Sequence, residues 1–316
     1  MHSPGAITRP AKPLALLASS LCLAVLLFSS CGGGGKEGPK LVVIDQNILH
    51  GIIDEDPEAE PFDRFPERIQ LIAGALAEAQ PDIVLLQEVV GDPGADYPNV
   101  RAELLAALGS EYTAVFGNFL GGAIDGDGLG QMTLTRLQVI SSENRTVSEI
   151  RSAVRVTVQT DEGPLDIYNV HLEGTDDDDP QFAVDEITKV MDFIEDTRSG
   201  GPVILAGDFN AHPDAPSIRT LLEAGYVDVL DKAGNATCEK KGDPGCTNST
   251  VPLGDNPDKV ADQRIDFMFV LPGDDVRLEP DDAELFNHEP VDIGDGHTLW
   301  ASDHIGVRAV LELKAK

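Results

Sequence analysis

The chain is short of basic residues, aromatics and cysteine. Only 23 lysines and arginines stand against 55 acidic residues, for a formal charge of −32 over 316 residues. Such a surface repels polyanions, although screening confines the effect to about 8 Å in physiological salt. A processive, tight nucleic-acid binder neutralises phosphates with many Lys and Arg side chains, so that class is disfavoured, while a local basic site is not excluded. Aromatic residues make up 5%, with one tryptophan, and offer no stacking platform for single strands. There is no Gly-Lys-Ser/Thr phosphate loop and no paired Cys or His spacing for structural zinc. Beyond Leu41 neither an internal repeat nor a linker long enough to separate domains occurs.

What is present begins with an address. Arg9 and Lys12 precede the apolar run Leu14 to Phe28, followed by Ser29-Ser30-Cys31-Gly32. A basic start, a short apolar stretch and small residues before a cleavage point describe an export signal, not a spanning helix. Cys31 directly after the small pair resembles the lipobox of bacterial lipoproteins and is the expected lipidation site. Phe28, third before the cysteine, is unusual there, so plain secretion stays open. The reading is a signal peptide over 1–30, a flexible tether over 31–39 and one domain over 40–316, exported and held at the envelope or secreted. In an exported chain Cys238 and Cys246, with seven residues between them, are expected to form a disulfide. Metal binding by that pair is the weaker alternative. Hydrophobic residues at 41% suffice for a large core.

From Leu41 onward strand and helix patterns alternate. Strands are expected over 41–44 (reaching Asn47), 82–86, 112–116, 132–140, 153–160, 165–171, 202–206, 264–271 and 305–313. Helices are expected over 65–79, 100–108, 182–197 and 216–224. This mixture predicts a four-layer α/β sandwich, two face-to-face mixed β-sheets flanked by helices.

Several of these strands end in polar groups. They deliver Asn47, Gln87-Glu88, His171, and Asp208 with Asn210 in Gly207-Asp208-Phe209-Asn210; Asp266 lies in Arg264-Ile265-Asp266-Phe267 and His304 in Ser302-Asp303-His304. Each has a plain reading as a turn residue or satisfied core group. Asp266 resists it, because a carboxylate between Ile265 and Phe267 costs several kcal/mol unless paired, with His304 or His171 as candidate partner. Together the set has the chemistry of phosphate-ester hydrolysis. Carboxylates suit a hard divalent cation, an Asp–His pair suits acid–base work, and asparagine amides hold phosphoryl oxygens without repulsive charge.

The ordered motifs resemble the endonuclease/exonuclease/phosphatase superfamily, which includes deoxyribonucleases, abasic-site endonucleases, inositol polyphosphate phosphatases and neutral sphingomyelinases. The resemblance runs from about Leu41 to Leu313. It implies Glu88 as principal metal ligand, with Asn47 and Asp303 assisting, for Mg²⁺ with Mn²⁺ or Ca²⁺ as alternatives. It implies that Asp208 positions or activates the attacking water and that Asn210 holds it or the phosphoryl oxygens. Asp266 would pair with His304 at the phosphate, and His171 would protonate the leaving oxygen. Leu134-Thr135-Arg136 matches a Leu-Ser-Arg stretch weakly, placing Arg136 near phosphate. Gln46 and Phe267 depart from the family's aromatic positions and leave fine specificity open. His212, His297 and the run Asp176-Asp177-Asp178-Asp179 read as surface loops. The expectation is a monomeric metal-dependent phosphoesterase acting on nucleic acid, phospholipid or a small phosphoester. The alternative is a binding lipoprotein that lost catalysis.

Overall fold

Residues Lys40–Asn47 read KLVVIDQN, and their alternation seats a strand, β1, between two apolar layers: Leu41 and Val43 face one, Ile44 the other. The computed structural model describes residues 38–49, 64–90, 99–126, 128–174, 179–249, 260–294 and 297–316, so residues 1–30 and Cys31 lie outside the described residues. The chain continues with α1 (Phe65–Ala79), β2 (Ile83–Val90), α2 (Val100–Leu108), β3 (Thr113–Asn118), β4 (Leu129–Thr135), β5 (Gln138–Thr146), β6 (Ser152–Thr160) and β7 (Gly163–His171). Then come α3 (Pro180–Thr197), β8 (Val203–Asp208), α4 (Pro216–Glu223), β9 (Val227–Asp228), α5 (Val229–Ala233), β10 (Asp266–Leu271), β11 (Val276–Phe286), β12 (Val291–Gly294), β13 (His297–Leu299) and β14 (Gly306–Ala315).

Two parallel pairs organise the domain. β1 lies parallel to β2, with Asn47 facing Gln87, and β7 lies parallel to β8, with His171 facing Asp208. Parallel neighbours need a crossover, which α1 and α3 supply. Pro66 opens α1, Gln80 closes it in the left-handed conformation, and Phe65, Ile69, Ile72 and Leu76 form its buried stripe. Antiparallel strands complete the sheets in the orders β11-β14-β1-β2-β4-β3 and β5-β6-β7-β8-β10-β9. Val43, Leu85 and Val307 of one sheet meet Val156, Ile167 and Ile204 of the other. Outside, α1 and α2 cover the first sheet, and α3 and α4 the second. The four-layer sandwich expected from the sequence is the fold found. Each buried Ile, Leu or Val contributes about 1.5–3 kcal/mol, and that reserve tolerates a polar cluster at one end of the sandwich.

Beyond the short elements β9, α5, β12 and β13, which the sequence reading does not include, three details differ from it. The single strand expected over 132–140 is two, β4 in the first sheet and β5 in the second. They part at a turn where the Thr135 hydroxyl accepts the Leu137 N–H and the Asp82 carbonyl accepts the Arg136 N–H. No Gly or Pro marks this turn, and β5 is an edge strand with mostly exposed residues. β11 was unread because Pro280-Asp281-Asp282 interrupts its pattern, at a bulge on the sheet edge where proline is tolerated. Gly38 and Pro39, read as the end of a tether, belong to the folded unit: Gly38 N–H donates to Glu312 and the Pro39 carbonyl accepts the Leu313 N–H.

Candidate active site

The parallel pairs bring the polar strand ends to one end of the sandwich. Asp266 opens β10 opposite Asp208, and His304 lies just before β14, whose Val307 faces Asp45 of β1. Two local devices aim the groups. At Gln87-Glu88 a bulge sets two residues of β2 against Gln131 of β4, and Glu88 takes a left-handed backbone (φ 59°). At Gly207 (φ 145°) a Cβ would lie 1.9 Å from the Val170 carbonyl oxygen, so only glycine lets β8 approach β7 there.

Asp208 is the hub. Its Oδ1 accepts the Asn210 backbone N–H at 2.9 Å, and its Oδ2 accepts Asn47 Nδ2 at 3.0 Å. The same Asn47 nitrogen donates to Glu88 Oε1 at 3.0 Å. Two imidazoles flank the carboxylate, His171 Nε2 at 3.5 Å and His304 Nε2 at 3.7 Å from Oδ2. His304 Nδ1 lies 3.0 Å from both oxygens of Asp266. Of the two partners the sequence offered Asp266, the structure selects His304; His171 packs edge-on against Phe119 at 5.2 Å.

Burial raises the Asp208 carboxyl above its ordinary range; His304 opposes the rise and Asp266 adds to it. Burial alone would lower the His304 imidazolium, but Asp266 and Asp208 together hold it well above its usual value. Asn210 adopts a left-handed backbone (φ 48°) and donates from its side chain to the Leu172 carbonyl at 2.9 Å. That ties the Asp208 loop to the loop carrying His171.

Three functional residues went unread. Asp45 and Asn169 lie two positions before Asn47 and His171, hence on the same inward face, and period two was the signal available. Gln87 Nε2 donates to Asp45 at 2.8 Å and to Asn169 at 2.9 Å, while Asn169 reaches the Leu86 and Met132 carbonyls of the other sheet. This network fixes the two sheets against each other beneath the site. Arg68 lies on the apolar stripe of α1, which was its signal. It is 1% exposed and donates to the Ile48, Leu49 and Ala301 carbonyls, joining the loop after Asn47 to the loop before Asp303. Burial brings its guanidinium down to about 10, against the pull of Asp303 and Glu88.

Other expectations are corrected or narrowed. Arg136 is no phosphate contact: it pairs with Asp82 at 2.7 Å, and Thr135 faces Ile83 at the far end of β2, about 16 Å along the strand from Glu88. His212 is half-buried at the turn into α4, where its carbonyl accepts the Ala215 N–H, and His297 is exposed but sits in the strand β13 instead of a loop. Asp179 caps α3 by accepting the Phe182 N–H; Asp176, Asp177 and Asp178 lie outside the described residues. The Cys238–Cys246 disulfide is present.

Glu186 of α3 supports the turn after His171 by accepting the Glu173 N–H at 3.0 Å. Burial pushes its carboxyl from 4.5 to about 7, against the backbone donors of Glu173 and Gly174. The folded value exceeds the unfolded one, so the protonated group supports the fold below pH 4.5, and that support is lost as pH rises through 7. Glu186→Gln keeps the acceptor and removes the charge. It is expected to raise Tm by about 5 °C at pH 8 and to leave it unchanged at pH 4 in paired calorimetric scans.

Among the described residues, Asp208, Asp266 and His304 are the group of acidic and imidazole ligands whose atoms come within 4.8 Å of one another. Because Asp266 already engages His304 Nδ1, that trio is an acid–imidazole chain. Asn47, Glu88 and Asp303 provide the hard oxygen donors a divalent cation prefers, with both carboxylates acting on the single guanidinium of Arg68.

The same end of the sandwich links the chain to known proteins. The profile of the Endonuclease/Exonuclease/phosphatase family matches residues 46–304, from the strand of Asn47 through His304. Among curated proteins no relative matches. An endonuclease/exonuclease/phosphatase family protein from Bacteroides thetaiotaomicron is similar in structure, with TM-score 0.67 and 17% identity over 88% of this chain and 99% of that one. D. rerio TDP2 complexed with a single-strand DNA product is similar at TM-score 0.64 and 22% identity, covering 86% of this chain and 98% of that one. At these identities the solved structures speak for the fold alone. The family match spans most of the chain, and residues 46–304 contain every polar strand end that converges on Asp208. The chain belongs to the endonuclease/exonuclease/phosphatase family, whose members are divalent-metal-dependent hydrolases of the phosphoesterase and nuclease type.

Proposed function

We propose that this chain is a Mg²⁺-dependent phosphodiesterase that cleaves its substrate by in-line attack of water. The observation that carries the reading is the buried Asp208 carboxylate, bracketed by two imidazoles and bonded to Asn47, with Asp266 behind His304. Asp208 orients the water and draws off its proton. His304, kept cationic by Asp266, faces the phosphoryl oxygens and stabilises the charge that develops on them. His171 donates a proton to the leaving oxygen. Asn210, fixed by Leu172, holds the water in line. Asn47, Glu88 and Asp303 would hold the cation, which supplies charge neutralisation at the phosphate when bound.

Nucleic acid is the first substrate class, supported by the likeness to D. rerio TDP2, itself solved with single-strand DNA product. A phospholipid is the second, favoured by exposed Leu120 and Ile150. Leu120 follows Phe119, the ring that packs on His171, and Ile150 precedes Arg151, whose guanidinium lies over that ring at 4.9 Å. Plasmid DNA, single-stranded DNA, sphingomyelin vesicles and a p-nitrophenyl phosphodiester, each with Mg²⁺ or with EDTA, separate these readings. Metal-dependent cleavage of one substrate selects the class. Silence on all four, or cleavage that EDTA leaves intact, overturns the proposal. The site works outside the cytoplasm, as a monomer tethered through lipid on Cys31; mass spectrometry of the mature N-terminus and its sedimentation test both points.

A further inference from the structure

The Asp266–His304 pair spans the sandwich, because β10 belongs to one sheet and β14 to the other. Nothing in either sheet's ladder fixes the distance between them. Besides the core and the Gln87–Asn169 network beneath the site, a short segment ties the two ends together, and it starts at the buried half of the disulfide. Cys246 is bonded to Cys238 and packs against Ile305. The next residue, Thr247, is fully buried. Its Oγ1 accepts two backbone N–H groups on the Asp266 side, Ile265 at 3.2 Å and Asp266 at 3.1 Å. Its carbonyl accepts the Ile305 N–H at 2.5 Å on the His304 side, and its own N–H donates to the Gln263 carbonyl at 2.7 Å. Asn248 bridges to both Gln263 and His304, and the Ser249 N–H donates to the Asp303 carbonyl at 3.3 Å. Thr247–Ser249 therefore form a backbone wedge between the acid's segment and the imidazole's segment.

We propose that Thr247, anchored by the Cys238–Cys246 disulfide, is a positioning residue that sets the alignment of Asp266 with His304. The inference rests on the phosphodiesterase reading for its consequence and on the wedge for its geometry. Thr247 touches no reacting atom. Its hydroxyl takes the Asp266 amide, so the start of β10 is held to the same residue that holds Ile305. A valine of the same shape would leave the Ile265 and Asp266 N–H groups buried without an acceptor, which would let the carboxylate drift from Nδ1. The disulfide limits where Thr247 begins, because Cys246 cannot move without Cys238.

The test compares Thr247→Val, Thr247→Ser and the double variant Cys238→Ala/Cys246→Ala with the parent full chain. Two readouts are taken. One is kcat and KM on the diester that the parent cleaves. The other is the downfield NMR signal of the His304 Nδ1–H bonded to Asp266, recorded without substrate or metal. The expected result is a kcat lower by about 10- to 100-fold for Thr247→Val with KM unchanged, as for a small misalignment of reacting groups. Its Nδ1–H signal should be lost to exchange. Thr247→Ser should restore both to near parental values, and the cysteine variant should fall between. A Thr247→Val protein with parental kcat and an intact Nδ1–H signal overturns the proposal, as does loss of signal that serine fails to rescue. Should Thr247→Val not fold, the serine and cysteine variants decide alone, a fully parental cysteine variant counting against the anchor. If the parent cleaves no diester, the phosphodiesterase reading fails, while the Nδ1–H signal still tests the wedge.

Discussion

Replacing Asp208 with asparagine is expected to lower kcat by about 10²- to 10⁴-fold, the range for removing a positioned proton acceptor. The substitution keeps the size of the side chain and an oxygen for the Asn210 N–H, now at 2.9 Å from Oδ1. It removes the negative charge that two imidazoles face at 3.5 and 3.7 Å. KM is expected to change far less, since the role proposed for the group is on the attacking water. Stability should move the other way. Burial raises the Asp208 carboxyl, so keeping it ionised at neutral pH costs folding free energy that asparagine does not incur. Tm measured without metal should equal or exceed the parental value. Parental kcat in the variant would remove Asp208 from the chemistry; a large drop in Tm would mean that the loss of activity reports unfolding.

Asp166→Ala is expected to do the reverse. This carboxylate is fully buried on β7, five residues before His171 and about 16 Å along the strand. Its Oδ1 accepts Arg155 Nη2 at 2.9 Å and the Thr157 hydroxyl at 2.7 Å; its Oδ2 accepts the Ser199 N–H at 2.6 Å and the Ser199 hydroxyl at 2.7 Å. It joins β6, β7 and the turn between α3 and β8. Removing it strands the Arg155 guanidinium, whose side chain is 12% exposed, and a backbone N–H. The expected cost is about 3 kcal/mol, at the lower end for a broken buried pair because Arg155 keeps some access to water. Denaturant unfolding should show that loss in the midpoint with the slope unchanged. At temperatures where the variant is folded, kcat should match the parent. A loss below about 1 kcal/mol, the usual worth of an exposed pair, would mean that water replaces the missing contacts.

The two substitutions mark how far the sequence could be read. Asp208, Asp266 and His304 stood out because charged and imidazole groups at the ends of apolar strands demand a reason. Asp166 did not stand out, although Leu165 and Ile167 flank it as Ile265 and Phe267 flank Asp266. Its partners come from two separate elements, β6 and the turn after α3, and no local pattern announces them. The same holds for Arg68, whose three carbonyl acceptors lie on two loops, Ile48-Leu49 and Ala301. Helix bounds for α1 and α2 were legible because a period of 3.6 residues and a proline or asparagine at the start are local signals. The break between β4 and β5 was not, because a chain crossing from one sheet to another can turn on a threonine hydroxyl.

By itself the sequence determined the alternation of strands and helices, the layering, the order of polar strand ends and the family these imply. These depend on periodicity and residue chemistry, which act over a few positions. Only the tertiary structure decided that His304, not His171, pairs with Asp266, that Asp208 is shared between both imidazoles, and that Arg136 faces the wrong end of the sheet. It alone joined Thr247 to the two halves of the acid–imidazole pair. Those outcomes rest on contacts under 4 Å between groups tens of residues apart. Such distances are set by sheet register and by the packing of one sheet on another, and neither is written in any short stretch of chain.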